Sequence, residues 1–384
     1  MDVLGARRAR APVYADLILG RLIVQLGRHQ RFLDLWPLIA QSENCPLPEK
    51  IDDLVDAADE LANLISPTLA EFVLADTQSQ LDAPVLDAKR VADNRLLAKF
   101  SLAQQRHWAK ILTESEIDVV FLKGFANGHS FYPDPILRQQ GDLDLLVRSR
   151  DLSRIINLLA PFGFEFRSSP LNRWGAISDA SFMPFVTQDG SCELDIHVHP
   201  DCYPAYCSLT TERLFAESQL VDAGGVSVRV PSPEHVLLLC VTNTAKDKFD
   251  VFSVRKVIDA MVLIRATENL NWQKIIDLAV EGNFLLPTRI FFSLLVSLGF
   301  PQTLIPGKLL RPLPRWREKS FRTVVHRFQR LFPGDPYLLP ILWREWALCA
   351  EPAVALYNMR LRGRGILKPG TGVPDGAPVS AIQW

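Results

Sequence analysis

Apolar residues recur at three- and four-residue spacing over 14–40 (Leu17, Ile18, Leu22, Val24, Leu26) and over 51–75 (Leu54, Ala57, Leu61, Leu64), which predicts two helices. Asn44, Pro46 and Pro48 break the run between them. A third helical pattern extends from about Val91 to Ser115 through Leu96, Leu97, Phe100, Leu102, Trp108, Ile111 and Leu112. The period then falls to two. Asp118–Leu122 (DVVFL) is a short β-branched and aromatic run that ends at Lys123-Gly124, a predicted strand and turn. A short helix over Phe125–Phe131 is closed by Tyr132-Pro133-Asp134-Pro135. Leu143–Val147 is the next strand, and Asp151–Leu159 a helix with Ser149 or Asp151 near its start. Strands are expected at 163–167, 181–186 and 192–199, and a hairpin over 219–230 turning at Ala223-Gly224-Gly225.

Helical texture returns at Pro231. Ser232 and Pro233 are suited to the N-cap and first turn of PSPEHVLLLCV, and patterns continue over 254–264, 272–280 and 287–298. The last sixteen residues are rich in Pro and Gly and read as a mobile tail. The fold class is therefore α+β: a mixed α/β middle over 115–230, flanked by helical regions at 1–114 and 231–368, with the tail at 369–384.

Composition narrows the function classes only modestly. The chain has 384 residues, 48% hydrophobic and 22% charged, as expected of a globular protein with more than one core. Its net charge of -1 advertises no global affinity for nucleic acid or membrane, so nucleic acid is a possible partner only through a local patch. Six scattered cysteines without a CxxC pair read as reduced thiols, and Asp16 and Arg21 interrupt any signal-like N-terminal stretch. The greasiest run, FFSLLVSLGF at 291–300, is far shorter than the ~20 residues a membrane span needs. The expectation is a cytoplasmic protein.

The candidate chemistry lies in RQQGDLDLLV (138–147) and CELDIHVH (192–199). In a strand, Asp142 and Asp144 share one face while Leu143 and Leu145 share the other. Two carboxylates so placed suit a divalent cation, which offsets their repulsion; the plain alternative is a solvated strand end. Glu193, Asp195, His197 and His199 share one side of the second segment, opposite Leu194, Ile196 and Val198. Set beside the first, that segment lets Asp195 complete a three-carboxylate metal site.

The order FLKG (121–124), YPDPILRQQGDLDLLV (132–147), GFEF (163–166) and ELDIHVH (193–199) resembles the uncharacterised nucleotidyltransferase family of the DNA polymerase β-like superfamily. The matching positions are Lys123, Gly124, Tyr132, Arg138, Asp142, Asp144, Asp195 and His197. The resemblance covers about 115–200 and continues more weakly to about 270. Lys-Gly replaces the superfamily's usual Gly-Ser turn, and Asn243 falls where the family commonly has a histidine. The resemblance implies a small mixed-sheet catalytic domain and transfer of a nucleoside monophosphate from a triphosphate such as ATP to a hydroxyl or phosphate. The acceptor is a small molecule, a peptide or protein, or RNA. Asp142, Asp144 and Asp195 would be both the catalytic residues and the ligands of Mg²⁺ (two ions, with Mn²⁺ as an alternative). Lys123, Gly124 and Arg138 would bind nucleotide, although Lys123 reads equally as a solvated strand-end lysine. His197 would hydrogen-bond Asp195 or orient the acceptor; Glu193 and His199 are expected to be solvated or structural.

Two further features bear on function. Residues 308–330 interleave eight basic residues with Trp316, Phe321 and Phe328, readable as an RNA-binding stripe or as an amphipathic helix with inward aromatics, the spacing favouring the helix. Lys246, Lys248, Arg255 and Lys256 form a second basic cluster that could face a triphosphate, with Asp259 one helical turn beyond Arg255. Competing readings are a catalytically inactive nucleotide- or partner-binding module of the same fold, and a metal-dependent hydrolase using His197 and His199.

Overall fold

The computed structural model describes residues 58–59, 61–72, 86–166, 185–329 and 334–367. The helix expected over 14–40, the start of the strand expected at 181–186 and the tail at 369–384 lie outside the described residues. Two compact units emerge. The first takes described residues up to Leu97, with 243–269 and 286–349, and the second takes 98–242, 270–285 and those after Ala350.

The second unit is built on a five-stranded mixed sheet. Its strands are β1 (Val119–Phe121), β2 (Leu143–Val147), β3 (Phe164–Phe166), β4 (Phe185–Thr187) and β5 (Glu193–His197). They are ordered β1-β2-β5-β4-β3, with β2 and β5 parallel and every other pair antiparallel. The helices here are α1 (Ala88–Glu114), α2 (Lys123–Phe131) and α3 (Leu152–Leu159). The hairpin strands β6 (Gln219–Asp222) and β7 (Ser227–Val230) turn where Gly224 and Gly225 take positive φ of 76° and 90°.

Alternation sorts the sheet's side chains. Leu143, Leu145 and Val147 of β2, with Leu194 and Ile196 of β5, join one core with Trp108 and Leu112 of α1 and Ile155, Ile156 and Leu159 of α3. Trp108 meets Phe164 edge-on at 4.7 Å, and Phe164 stacks on Phe185 at 5.3 Å, closing the core at the β3–β4 edge. The α1 pattern is only half realised. Trp108, Ala109 and Leu112 are buried, but Leu96, Leu97 and Phe100 are exposed, because the packed core is met only by the later turns of the helix.

The expected Lys123-Gly124 turn is also different. The chain passes from β1 into α2 without a loop, with Lys123 as its first helical residue at φ 46°. The junction is tied to β2 by the Leu122 amide donating to the Asp144 carbonyl at 2.9 Å.

α4 (Thr211–Ala216), which the sequence pattern does not predict, lies just before the hairpin; beyond it α5 (Pro233–Lys246), α6 (Val254–Ala266), α7 (Trp272–Glu281) and α8 (Leu285–Ser297) follow close to the predicted bounds. In the first unit, α9 (Arg315–Gln329) buries Phe321, Val324 and Phe328 and leaves Trp316 exposed, so the basic-aromatic stretch is an amphipathic helix. The cluster expected to face a triphosphate is used internally: Lys248 pairs with buried Glu345 and Lys256 with Asp247. Asp259 is buried and Arg255 exposed. Arg344 lies between Asp250 at 3.4 Å and Asp335 at 3.0 Å. Among the described residues no helix is long and apolar enough to cross a membrane.

Leu145 has no exposed surface in the middle of β2. Leu145→Ala is expected to lower unfolding stability by about 3 kcal/mol through lost burial and the cavity left behind. Urea denaturation followed by tryptophan fluorescence measures it; a loss under about 1 kcal/mol would contradict the sheet's placement.

Candidate metal and nucleotide site

The core-facing alternation leaves the opposite face of β2 and β5 for Asp144, Asp195 and His197. Their parallel register sets Asp144 directly beside Asp195, and Leu146 beside His197. His197 Nε2 then lies 3.0 Å from Asp144 Oδ1 and 3.2 Å from Asp195 Oδ2. One ligand atom from each of these three residues falls within 4.8 Å of the others.

Lys123 enters the same space from the start of α2. Its ammonium is 2.5 Å from Asp144 Oδ1, 3.4 Å from His197 Nε2 and 3.7 Å from Asp195 Oδ2. A side chain with an equal claim to being a solvated strand end is thus directed into the acidic cluster.

Asp142 stands apart from the close trio. It lies in the bend before β2, not within the strand, and its carboxylate is not part of the group gathered within 4.8 Å. It still senses that group. Burial first, then the negative charge of Asp144, push its pKa up to about 6, with Lys123 pulling it down and Asp195 adding a smaller push upward.

The environment acts oppositely on its neighbours. Burial works against ionisation of Asp144, but the Lys123 charge and the His197 hydrogen bond outweigh it and hold the carboxyl well below its usual range. Burial and Lys123 disfavour the His197 imidazolium, yet its hydrogen bonds to Asp144 and Asp195 raise its pKa overall. Its Nδ1 is buried without a hydrogen-bond partner.

The remaining expected positions fall beside this cluster. Gly124 and Gly128 of α2 border a crevice with Arg138, Gln140, Ser101 and Gln105. A Cβ on Gly124 would come within 1.8 Å of Gln140 Oε1, so the glycine is required here by the Gln140 amide lying over it. Gln140 Nε2 donates to Gln105 Oε1 at 2.8 Å, while its own Oε1 is buried and unpartnered. Arg138 donates to the Gln139 carbonyl at 2.9 Å. Glu193 is half-buried at the start of β5, and His199, beyond its end, is exposed and stacks on Tyr206 at 5.1 Å. Gln105 and Gln140 carried no signal beyond the polar Gln139-Gln140 pair before the acidic motif.

The donor set suits a hard or borderline divalent cation: two carboxylates and an imidazole on one rigid sheet face, with a lysine ammonium already standing in as a cation. Among the described residues this is the group of three His, Cys, Asp or Glu side chains able to hold a metal. A family model described as "Uncharacterised nucleotidyltransferase" matches residues 49–298. Comparison with curated proteins and with solved structures finds no match.

Asp142→Asn removes the repelled charge without changing shape. Because the folded pKa of about 6 lies above the ordinary aspartate value of 3.8, ionised Asp142 costs stability at neutral pH. In chelator at pH 7.5 the variant is expected to be more stable than the parent by on the order of 2 kcal/mol. That gain should shrink as pH falls through about 6 and vanish once Asp142 is protonated in the unfolded chain as well, below about 4. Chemical denaturation across this range checks it; a variant less stable at neutral pH would refute the electrostatic account.

Proposed function

The chain belongs to the uncharacterised nucleotidyltransferase family, and from that premise we propose that it moves a nucleoside monophosphate from an NTP to a hydroxyl or phosphate of its acceptor, with Mg²⁺ or Mn²⁺ bound by Asp144 and Asp195 and with His197 as a further ligand where the ion accepts imidazole nitrogen. The family makes it a transferase of nucleotidyl groups acting on a nucleoside triphosphate. The observation that carries the finer reading is the register pairing of Asp144 with Asp195 on the face turned away from the core.

A divalent cation bound there supplies charge neutralisation at the triphosphate and lowers the pKa of an acceptor hydroxyl. The chain's own groups position the reactants. Asp144 and Asp195, fixed by adjacent strands, hold their carboxylates together without reorganisation. His197 bridges the two and keeps them oriented. Asp142, beside them, is the further carboxylate for a second ion, consistent with a carboxyl whose ionisation improves when positive charge arrives.

Lys123 and Gly124 open α2, whose N-terminus carries no side-chain cap, and a phosphate reaching the Gly124 backbone would displace the Gln140 amide that lies over it. Arg138, at the crevice edge, contributes a fork-shaped donor. ATP is one suitable donor, and small molecules, peptides and RNA ends are the acceptor classes.

The test is NTP-dependent labelling of lysate fractions, with pyrophosphate release as the second readout. Asp144→Asn and Asp195→Asn, shape-conserving changes, are expected to cut transfer by roughly 10³-fold or more while leaving the circular dichroism spectrum intact. Transfer that persists at the parent rate in both variants would refute the assignment.

A further inference from the structure

The geometry points to Lys123 as a displaceable counter-ion: its ammonium occupies the cation position between Asp144, Asp195 and His197 and is expelled when a divalent metal binds, becoming free to neutralise the incoming triphosphate. This rests on the metal-dependent reading above and deepens it.

Three observations support the exchange. The first is steric. Divalent cations approach carboxylate oxygens to about 2.0–2.6 Å, and the Lys123 Nζ is already 2.5 Å from Asp144 Oδ1 and faces Asp195 Oδ2 at 3.7 Å. An ammonium and a metal ion cannot both hold that oxygen from the same side at those distances; their mutual repulsion alone is severe in a site where Asp144 is only 3% exposed.

The second is that the lysine has an exit. Its side chain is 30% exposed, in contrast to 3% for Asp144 and 5% for His197, so the stem reaches the cluster from the solvent side. The acids and the histidine are fixed on strands; the lysine is the member of the cluster that can move.

The third is its backbone. Lys123 sits at φ 46°, in the left-handed region that a non-glycine residue rarely adopts. That conformation, at a junction pinned by the Leu122–Asp144 backbone bond, directs the side chain back across β2. A lysine whose only use was to stay solvated would gain nothing from it. The released ammonium remains at the start of α2, next to Gly124, where the triphosphate of the proposed reaction would lie.

The exchange has a signature apart from activity. In the full-length protein, amine acylation read by mass spectrometry is expected to modify Lys123 slowly in chelator, at least several-fold faster with Mn²⁺, and slowly again with Mn²⁺ plus a non-hydrolysable ATP analogue. Mn²⁺ binding is followed in parallel by the loss of its free electron paramagnetic resonance signal. Lys123→Met is expected to bind Mn²⁺ at least about 10-fold more tightly than the parent, since no internal cation competes, whereas Lys123→Arg should not gain affinity. Mn²⁺ that binds while Lys123 labelling stays constant, or a Lys123→Met variant that binds no better, overturns the exchange and leaves the metal site standing. A parent protein that binds no Mn²⁺ overturns both.

Discussion

The parallel pairing of β2 with β5 is the constraint on which the rest of the site depends. Side chains on a strand alternate with a period of two, so a slip of one residue in this pairing would send Asp195 and His197 into the core and Leu194 and Ile196 to the polar face. The register is held because Leu143, Leu145, Val147, Leu194 and Ile196 are all buried in one apolar cluster with α1 and α3. The hydrophobic face does the positioning. The acidic face inherits its geometry from packing on the other side of the same two strands, and no loop has to close to bring the carboxylates together.

That inheritance has an electrostatic cost, which is distributed unevenly. Asp144, the most buried acid, is the one supplied with both an ammonium and an imidazole. Asp142, displaced into the bend, receives little of that compensation and is left with a raised pKa. A buried carboxylate without positive charge nearby would be protonated rather than ionised. The Lys123 contact is therefore part of what keeps the buried Asp144 ionised, and any cation entering beside that oxygen has to replace it.

Most of this fold was legible because its elements follow simple periods. The strands at 143–147 and 193–197, the hairpin and the helices after Pro231 all alternate or repeat cleanly, and alternation alone sets Asp144 and Asp195 on the face opposite the core leucines. The misreadings have separate physical origins. Leu96, Leu97 and Phe100 keep the helical period yet stay exposed, because periodicity reports an apolar stripe and not whether anything packs on it. Asp142 is expected on the face of Asp144 only by extending the alternation of β2 one residue back, and the bend at 141–142 ends the alternation before it. His197 contacts Asp195 as expected and Asp144 as well, the second contact being a consequence of the β2–β5 register that no single strand discloses. The position of Lys123 depends on a left-handed residue at a strand–helix junction, which glycine or asparagine would signal but lysine does not.

The presence of an imidazole in the close group bears on which cation the site is suited to. Magnesium takes oxygen ligands in a strict octahedron and retains several waters, whereas manganese also accepts imidazole nitrogen. Beside magnesium, His197 would remain a hydrogen-bonding bridge between Asp144 and Asp195, and Asp142 would have to complete the oxygen set. Beside manganese, Nε2 would itself be a ligand, and the three residues gathered within 4.8 Å would supply the protein's share of the donor set. The two ions thus place different demands on Asp142, the acid that the bend holds away from the trio.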